Sequence, residues 1–202
     1  GPVYLRDNAP LAYYNLRDYE KYIGIEQRIL SLPGIVRTPE EGITRVNEEL
    51  GIFSGVTGTR LQPGGNRILF EKKDGEFIPD TFSHEQFSVL FAEGKRVLLS
   101  GCAHKGILNI LDRFRELFGG EPDAVVSGFH MMKQEAYDEE DLQTIKSVAK
   151  ELGARGVCVN AIAPGFIGTE SELDGYDKEF LDSKFNEIFE SDVVTTFPSA
   201  CA

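Results

Sequence analysis

Residues 96–165 switch repeatedly between two hydrophobic periods, and this alternation limits the possible folds more than any other feature. VLL, Val97 to Leu99, is a short apolar run. GILNILDRFRELFGG then sets Ile107, Leu111, Phe114 and Phe118 on one helical stripe, closed by Gly119-Gly120. DAVVSGFH, Asp123 to His130, reads as a short buried strand. DEEDLQTIKSVAKELG predicts a second helix, with Leu142, Ile145, Ala149 and Leu152 on its stripe, acids at its start and Gly153 at its end. GVCVNAIAPG predicts a third strand running into a Pro-Gly turn. Strand, helix, strand, helix, strand implies an α/β layer with parallel or mixed pairing.

The chain before this region predicts hairpins. Asp74-Gly75 is a tight-turn signal. Phe87, Val89 and Phe91 alternate, Glu93-Gly94-Lys95 turns the chain, and Val97 to Leu99 returns as a strand buried on both faces. GITRV, GIFSGV and RILF read as short strands between turns, and residues 1–35 as short helical or irregular segments. Near the C-terminus, Leu181, Phe185, Ile188 and Phe189 predict an amphipathic helix, with fraying beyond Val193. The expected organisation is one partial α/β domain over 1–165 and an acidic helical tail over 166–202.

Composition removes several classes of function. The net charge is −12, from 33 acidic and 21 basic residues, which argues against a duplex nucleic-acid binder. No run approaches the roughly 20 apolar residues of a membrane span. The N-terminus lacks a basic segment followed by an apolar one, so no signal peptide is expected. The cysteines are Cys102, Cys158 and Cys201, an odd and sparse set that points to a reducing, cytoplasmic compartment.

The candidate chemistry lies in the histidines. There are three, His84, His104 and His130, and each stands at the edge of a predicted strand. Strand ends on one edge of an α/β sheet are where sites are built. His104 sits in a Gly-Cys-Ala-His-Lys-Gly turn, and a turn has no need of a thiol and an imidazole two residues apart. Imidazole and thiolate are good ligands for zinc, and imidazole also for iron. Asp80 and Glu85 are available as hard ligands or as acceptors behind the ligands. Lys105 could meet an anionic substrate group or be a solvated turn residue.

Four motifs, FSGVTG (Phe53–Gly58), DTFSHEQ (Asp80–Gln86), GCAHKGILNIL (Gly101–Leu111) and SGFH (Ser127–His130), together resemble the later half of a metallo-β-lactamase-fold hydrolase. The branch that includes dihydropterin ribofuranosyl-aminobenzene phosphate synthase-like proteins is the nearest. The resemblance implies an αββα sandwich, of which this chain holds the later half as a mixed sheet with flanking helices. It implies His84 and His104 as metal ligands, Cys102 where many relatives place a bridging aspartate, and His130 facing the same cleft as a ligand or a substrate contact. The implied cofactor is a divalent metal: zinc first, with manganese or iron as alternatives. The implied activity is hydrolysis of a small substrate, phosphorylated by analogy, with metal-bound hydroxide as nucleophile.

The chain departs from that family at two places. Nothing matches the His-x-His-x-Asp-His motif that supplies most ligands of the first metal. Ile162 falls where a His-Cys-Thr-Gly turn is usual. A fold lacking its first strands exposes a sheet edge, so homo-oligomerisation or a partner that supplies strands is expected. The alternative is a truncated, non-catalytic domain acting as a structural or partner-binding module. A third reading comes from Ala149 to Glu170, which resembles the Asn-Ala-Ile-Ala-Pro-Gly region of short-chain dehydrogenases. That oxidoreductase reading lacks a Gly-rich turn after a first strand and a Tyr-x-x-x-Lys pair.

Overall fold

A computed structural model describes residues 1–9, 12–131 and 138–156. Gly1–Arg155 form one compact unit. In chain order its strands are β1 (Val3–Arg6), β2 (Ala12–Asn15), β3 (Lys21–Tyr22), β4 (Ile35–Thr38), β5 (Ile43–Arg45), β6 (Leu50–Phe53), β7 (Leu69–Lys73), β8 (Glu76–Pro79), β9 (Phe87–Ala92), β10 (Lys95–Leu99) and β11 (Ala124–Val126). Helix α1 covers Ile107–Phe118 and α2 covers Glu139–Ala154.

The strands make a five-stranded sheet, β11-β10-β9-β6-β5, a four-stranded sheet, β3-β2-β7-β8, and a two-stranded pair, β1-β4. Within the five-stranded sheet β10 and β11 run parallel and the other pairs antiparallel. This is the mixed α/β architecture expected from the alternating pattern. Both predicted hairpins form. Asp74 and Gly75 take φ of 51° and 87°, and Glu93 and Gly94 take 51° and 77°, the positive values that two-residue hairpin turns need.

Helix α1 buries its stripe on the five-stranded sheet. Ile107, Ile110, Leu111 and Phe114 are fully buried, and Phe114 and Phe118 meet Phe53 of β6 edge-on. Gly119 ends the helix in the left-handed conformation, φ 71°. Helix α2 begins with a capping box in which Asp138 and Asp141 satisfy each other's backbone N–H.

The structure corrects several expectations. Residues 1–35, expected as short helical or irregular segments, hold three strands and a short 3-10 helix (Gln27–Ser31) among the described residues. Alternation in AYYN is only four residues long, and its partner β7 lies far downstream, so local pattern underreports it. The stripe of α2 is rotated: Asp141, Val148 and Leu152 are buried, while Leu142 and Ala149 are exposed. Strand β10 is fully buried only at Leu98. The strand expected over Asp123–His130 stops at Val126. The predicted third strand, the tail helix, Ile162, Cys158, Cys201 and most of the dehydrogenase-like segment lie outside the described residues.

Candidate metal centre

Parallel pairing of β10 and β11 determines where the candidate ligands go. Leu99 lies opposite Val126, and both chains leave the sheet at the same edge. Cys102 and His104 follow β10, and His130 follows β11. Two backbone bonds hold the departing loops side by side: Ser100 N–H to the Val126 carbonyl (2.9 Å) and Gly128 N–H to the Gly101 carbonyl (2.7 Å). A Cβ on Gly128 would stand 3.0 Å from that Gly101 oxygen, so a larger residue at this crossing would push the two loops apart by a few tenths of an ångström.

The result is a three-donor group. One ligand atom each from Cys102, His104 and His130 lies within 4.8 Å of the others. The two imidazole rings are 4.1 Å apart. Cys102 is a free, exposed thiol. The surrounding backbone is strained: Ala103, Phe129 and His130 take φ of 60°, 56° and 47°. Such strain clusters at functional sites.

Glu85 organises the turn. Its Oε1 accepts the His104 N–H (2.8 Å) and its Oε2 the Lys105 N–H (2.9 Å). Burial raises the Glu85 pKa, and these two N–H groups oppose the rise. Of the two roles open to Glu85 in the sequence, acceptor behind the ligands is the one observed. Lys105 is not a solvated turn residue. It is buried, and its Nζ donates to the Thr81 carbonyl (3.2 Å). Gln86 completes the motif by donating to the Tyr4 carbonyl (2.7 Å) and accepting from the Thr38 hydroxyl (3.0 Å), which ties the β1-β4 pair to the start of β9.

His84 falls outside the three-donor group. Its ring packs 4.1 Å from that of Tyr13. Its Nδ1 is buried without a hydrogen-bond partner, and the nearest carboxylate oxygen, on Asp80, is 3.8 Å away. His84 and His104 share a cavity of about 200 Å³, whose walls include Tyr13, Ile23, Leu69, Asp80 and Phe82. Phe82 stacks flat on His104 at 4.7 Å.

Burial keeps the imidazoles neutral at ordinary pH. The His84 pKa falls to about 4. That of His104 falls to about 3, through burial first and then repulsion from His130 and His84. The pKa of His130 also falls through burial, partly offset by a backbone hydrogen bond with Gly65. Neutral imidazoles present the lone pairs that a cation needs. Burial raises the Asp80 pKa, opposed by the Phe82 N–H.

Two residues that the sequence reading passed over belong to this site. Asn66, in a 3-10 helix (Gly64–Ile68), bonds to His104 through both ends of its amide. Gly65 leaves room for His130, because a Cβ there would lie 2.9 Å from His130 Nε2. Gly65→Ala is therefore expected to displace the His130 ring and weaken cobalt uptake about tenfold, read by titration of the metal-free protein. The signal for both residues was the Pro63-Gly64-Gly65 turn, which marks a close approach without saying to what.

No family model matches the chain. The 7,8-dihydropterin-6-methyl-4-(beta-D-ribofuranosyl)-aminobenzene-5'-phosphate synthase of Methanocaldococcus jannaschii is 26% identical over 113 residues, 55% of this chain and 37% of that protein. The crystal structure of Tm1679, described as a metal-dependent hydrolase of the beta-lactamase superfamily, superposes with a TM-score of 0.60 at 27% identity. It covers 77% of this chain and 57% of its own. The chain thus spans less than two thirds of either protein. No helix among the described residues is long and apolar enough to cross a membrane. In fold and in sequence, the chain is similar to the metal-dependent hydrolases of the β-lactamase superfamily.

Proposed function

We propose that this chain holds a divalent cation through Cys102, His104 and His130, and that it serves metal-dependent hydrolysis of a small molecule. The observation that carries the reading is the convergence of one sulfur and two neutral imidazoles within 4.8 Å, on loops of adjacent parallel strands. The donor set fits a metal: a soft thiolate with two imidazoles favours zinc over manganese or magnesium. When bound, such an ion supplies Lewis acidity and activation of water near neutral pH.

The chain's own residues supply the rest. Glu85 holds the ligand turn, and Phe82 covers one face of His104. The cavity beside His104 receives the non-reacting part of the substrate. Its aromatic and aliphatic walls suit a planar or apolar group, and Asp80 and His84 offer it polar contacts. No lysine or arginine lines that cavity among the described residues, so a phosphoryl group would not be read there.

Metal analysis tests the reading. After equilibration with zinc and removal of the excess, the protein is expected to retain about one ion per chain. His104→Ala is expected to lose at least about 90% of it, while keeping its circular dichroism. Wild-type protein that retains no zinc, manganese or iron would overturn the proposal and favour a non-catalytic binding module.

A further inference from the structure

We infer that Asn66 is a positioning residue that fixes His104 in a single tautomer and leaves Nε2 as the ring atom able to join Cys102 and His130. The inference rests on the metal-site reading above. Asn66 Nδ2 donates to the His104 backbone carbonyl at 2.8 Å. That bond settles which way the amide faces, so the atom 2.9 Å from His104 Nδ1 is Oδ1. An amide oxygen only accepts, so Nδ1 carries the proton. In a neutral imidazole the other nitrogen then holds the free lone pair.

The ring has little freedom left. Glu85 accepts the His104 N–H, Asn66 binds its carbonyl and its Nδ1, and Phe82 stacks on its face with an interplanar angle of 7°. Every polar atom of His104 except Nε2 has a protein partner. The brace also reaches the second histidine, because the adjacent Gly65 sits against His130. One turn from the β7 side of the fold, Gly64-Gly65-Asn66, therefore orients two ligands carried by the β10 and β11 loops. Partners of this kind typically account for about 10–100-fold in metal affinity.

The test uses the full chain, free of metal and labelled with nitrogen-15. Long-range proton–nitrogen spectra at pH 7.5 read which His104 nitrogen is protonated. Wild type is expected to show Nδ1–H. Asn66→Ala is expected to lose that preference, and Asn66→Asp, which keeps an acceptor, to retain it. Cobalt titration, followed by thiolate-to-cobalt absorption, should show affinity about 10–100-fold weaker in Asn66→Ala and within about threefold of wild type in Asn66→Asp. A purely structural asparagine would not be rescued by aspartate, which loses the bond to the His104 carbonyl. Wild-type His104 protonated at Nε2, or Asn66→Ala with unchanged tautomer and cobalt affinity, would overturn the inference. Should Asn66→Ala fail to fold, the wild-type spectrum and Asn66→Asp still decide it. Should wild type take up no cobalt, the metal reading falls, while the tautomer still judges Asn66.

Discussion

Glu85→Ala is expected to destabilise the protein by roughly 3–5 kcal/mol and to abolish metal uptake together with it. The carboxylate receives two backbone N–H groups, from His104 and Lys105. Hydrogen bonds to a charged group contribute about 1.5–3 kcal/mol each. Its removal also leaves Lys105 buried with Asp80 as its remaining favourable charge. Leaving a buried charge poorly compensated adds to the loss. The turn that carries Cys102 and His104 then loses the carboxylate that joins two of its backbone N–H groups, and keeps the ties from Asn66 and the Gly128 N–H. Glu85→Gln keeps one acceptor and is expected to cost about half as much. Urea unfolding of the metal-free proteins measures both. A Glu85→Ala midpoint equivalent to less than about 1 kcal/mol would show that the turn holds itself.

Acid is the second large lever. In the unfolded chain each histidine takes up a proton near its ordinary value of 6.5, whereas in the folded protein His84 does so only near 4 and His104 near 3. Between those values the unfolded state binds more protons, so stability falls as the pH falls. The full contribution is present above about pH 6.5 and is lost as the pH drops through 4. For His84, about a quarter exposed, this amounts to about 3 kcal/mol. Asp80 and Glu85 act in the opposite sense, since burial raises their pKa values and protonation relieves them. They temper the loss at its acid end. Thermal unfolding of metal-free protein in steps from pH 7.5 to 4.5 checks the slope. His84→Phe keeps a ring against Tyr13 and removes one titrating group. It should flatten the profile by about one proton in that range. An unchanged slope would mean that His84 is protonated in the folded state well above pH 4.

The parts of the fold that were legible in the sequence are those whose signal is local. Helix α1 showed its stripe and its closing glycine, and both hairpins showed turn residues with positive φ. The first strands were not legible. Tyr13 is buried with its ring against His84, and β2 pairs with β7, so its partners lie far downstream and no window of the sequence contains them. In α2 the periodicity was correct and Leu152 is buried as expected, but Asp141 and Val148 take the buried places expected for Leu142 and Ala149. The site divides in the same way. Cys102, His104 and His130 were visible as chemistry at strand edges, and the parallel register turns that placement into proximity. His84 has the same sequence context yet faces Tyr13 and Asp80. Asn66 acts across 38 residues through an amide, and nothing in its neighbours announces a histidine.

The crossing of Gly128 over Gly101 is the backbone latch that lies nearest the donors and joins the loop of Cys102 to that of His130. Any fluctuation that parts the two loops at that point scatters the sulfur from His130 and bares a single amide, Gly128 N–H. Deuterium uptake at that amide therefore counts how often the centre is disassembled, and the apparent grip on any ion weakens in proportion to that open fraction.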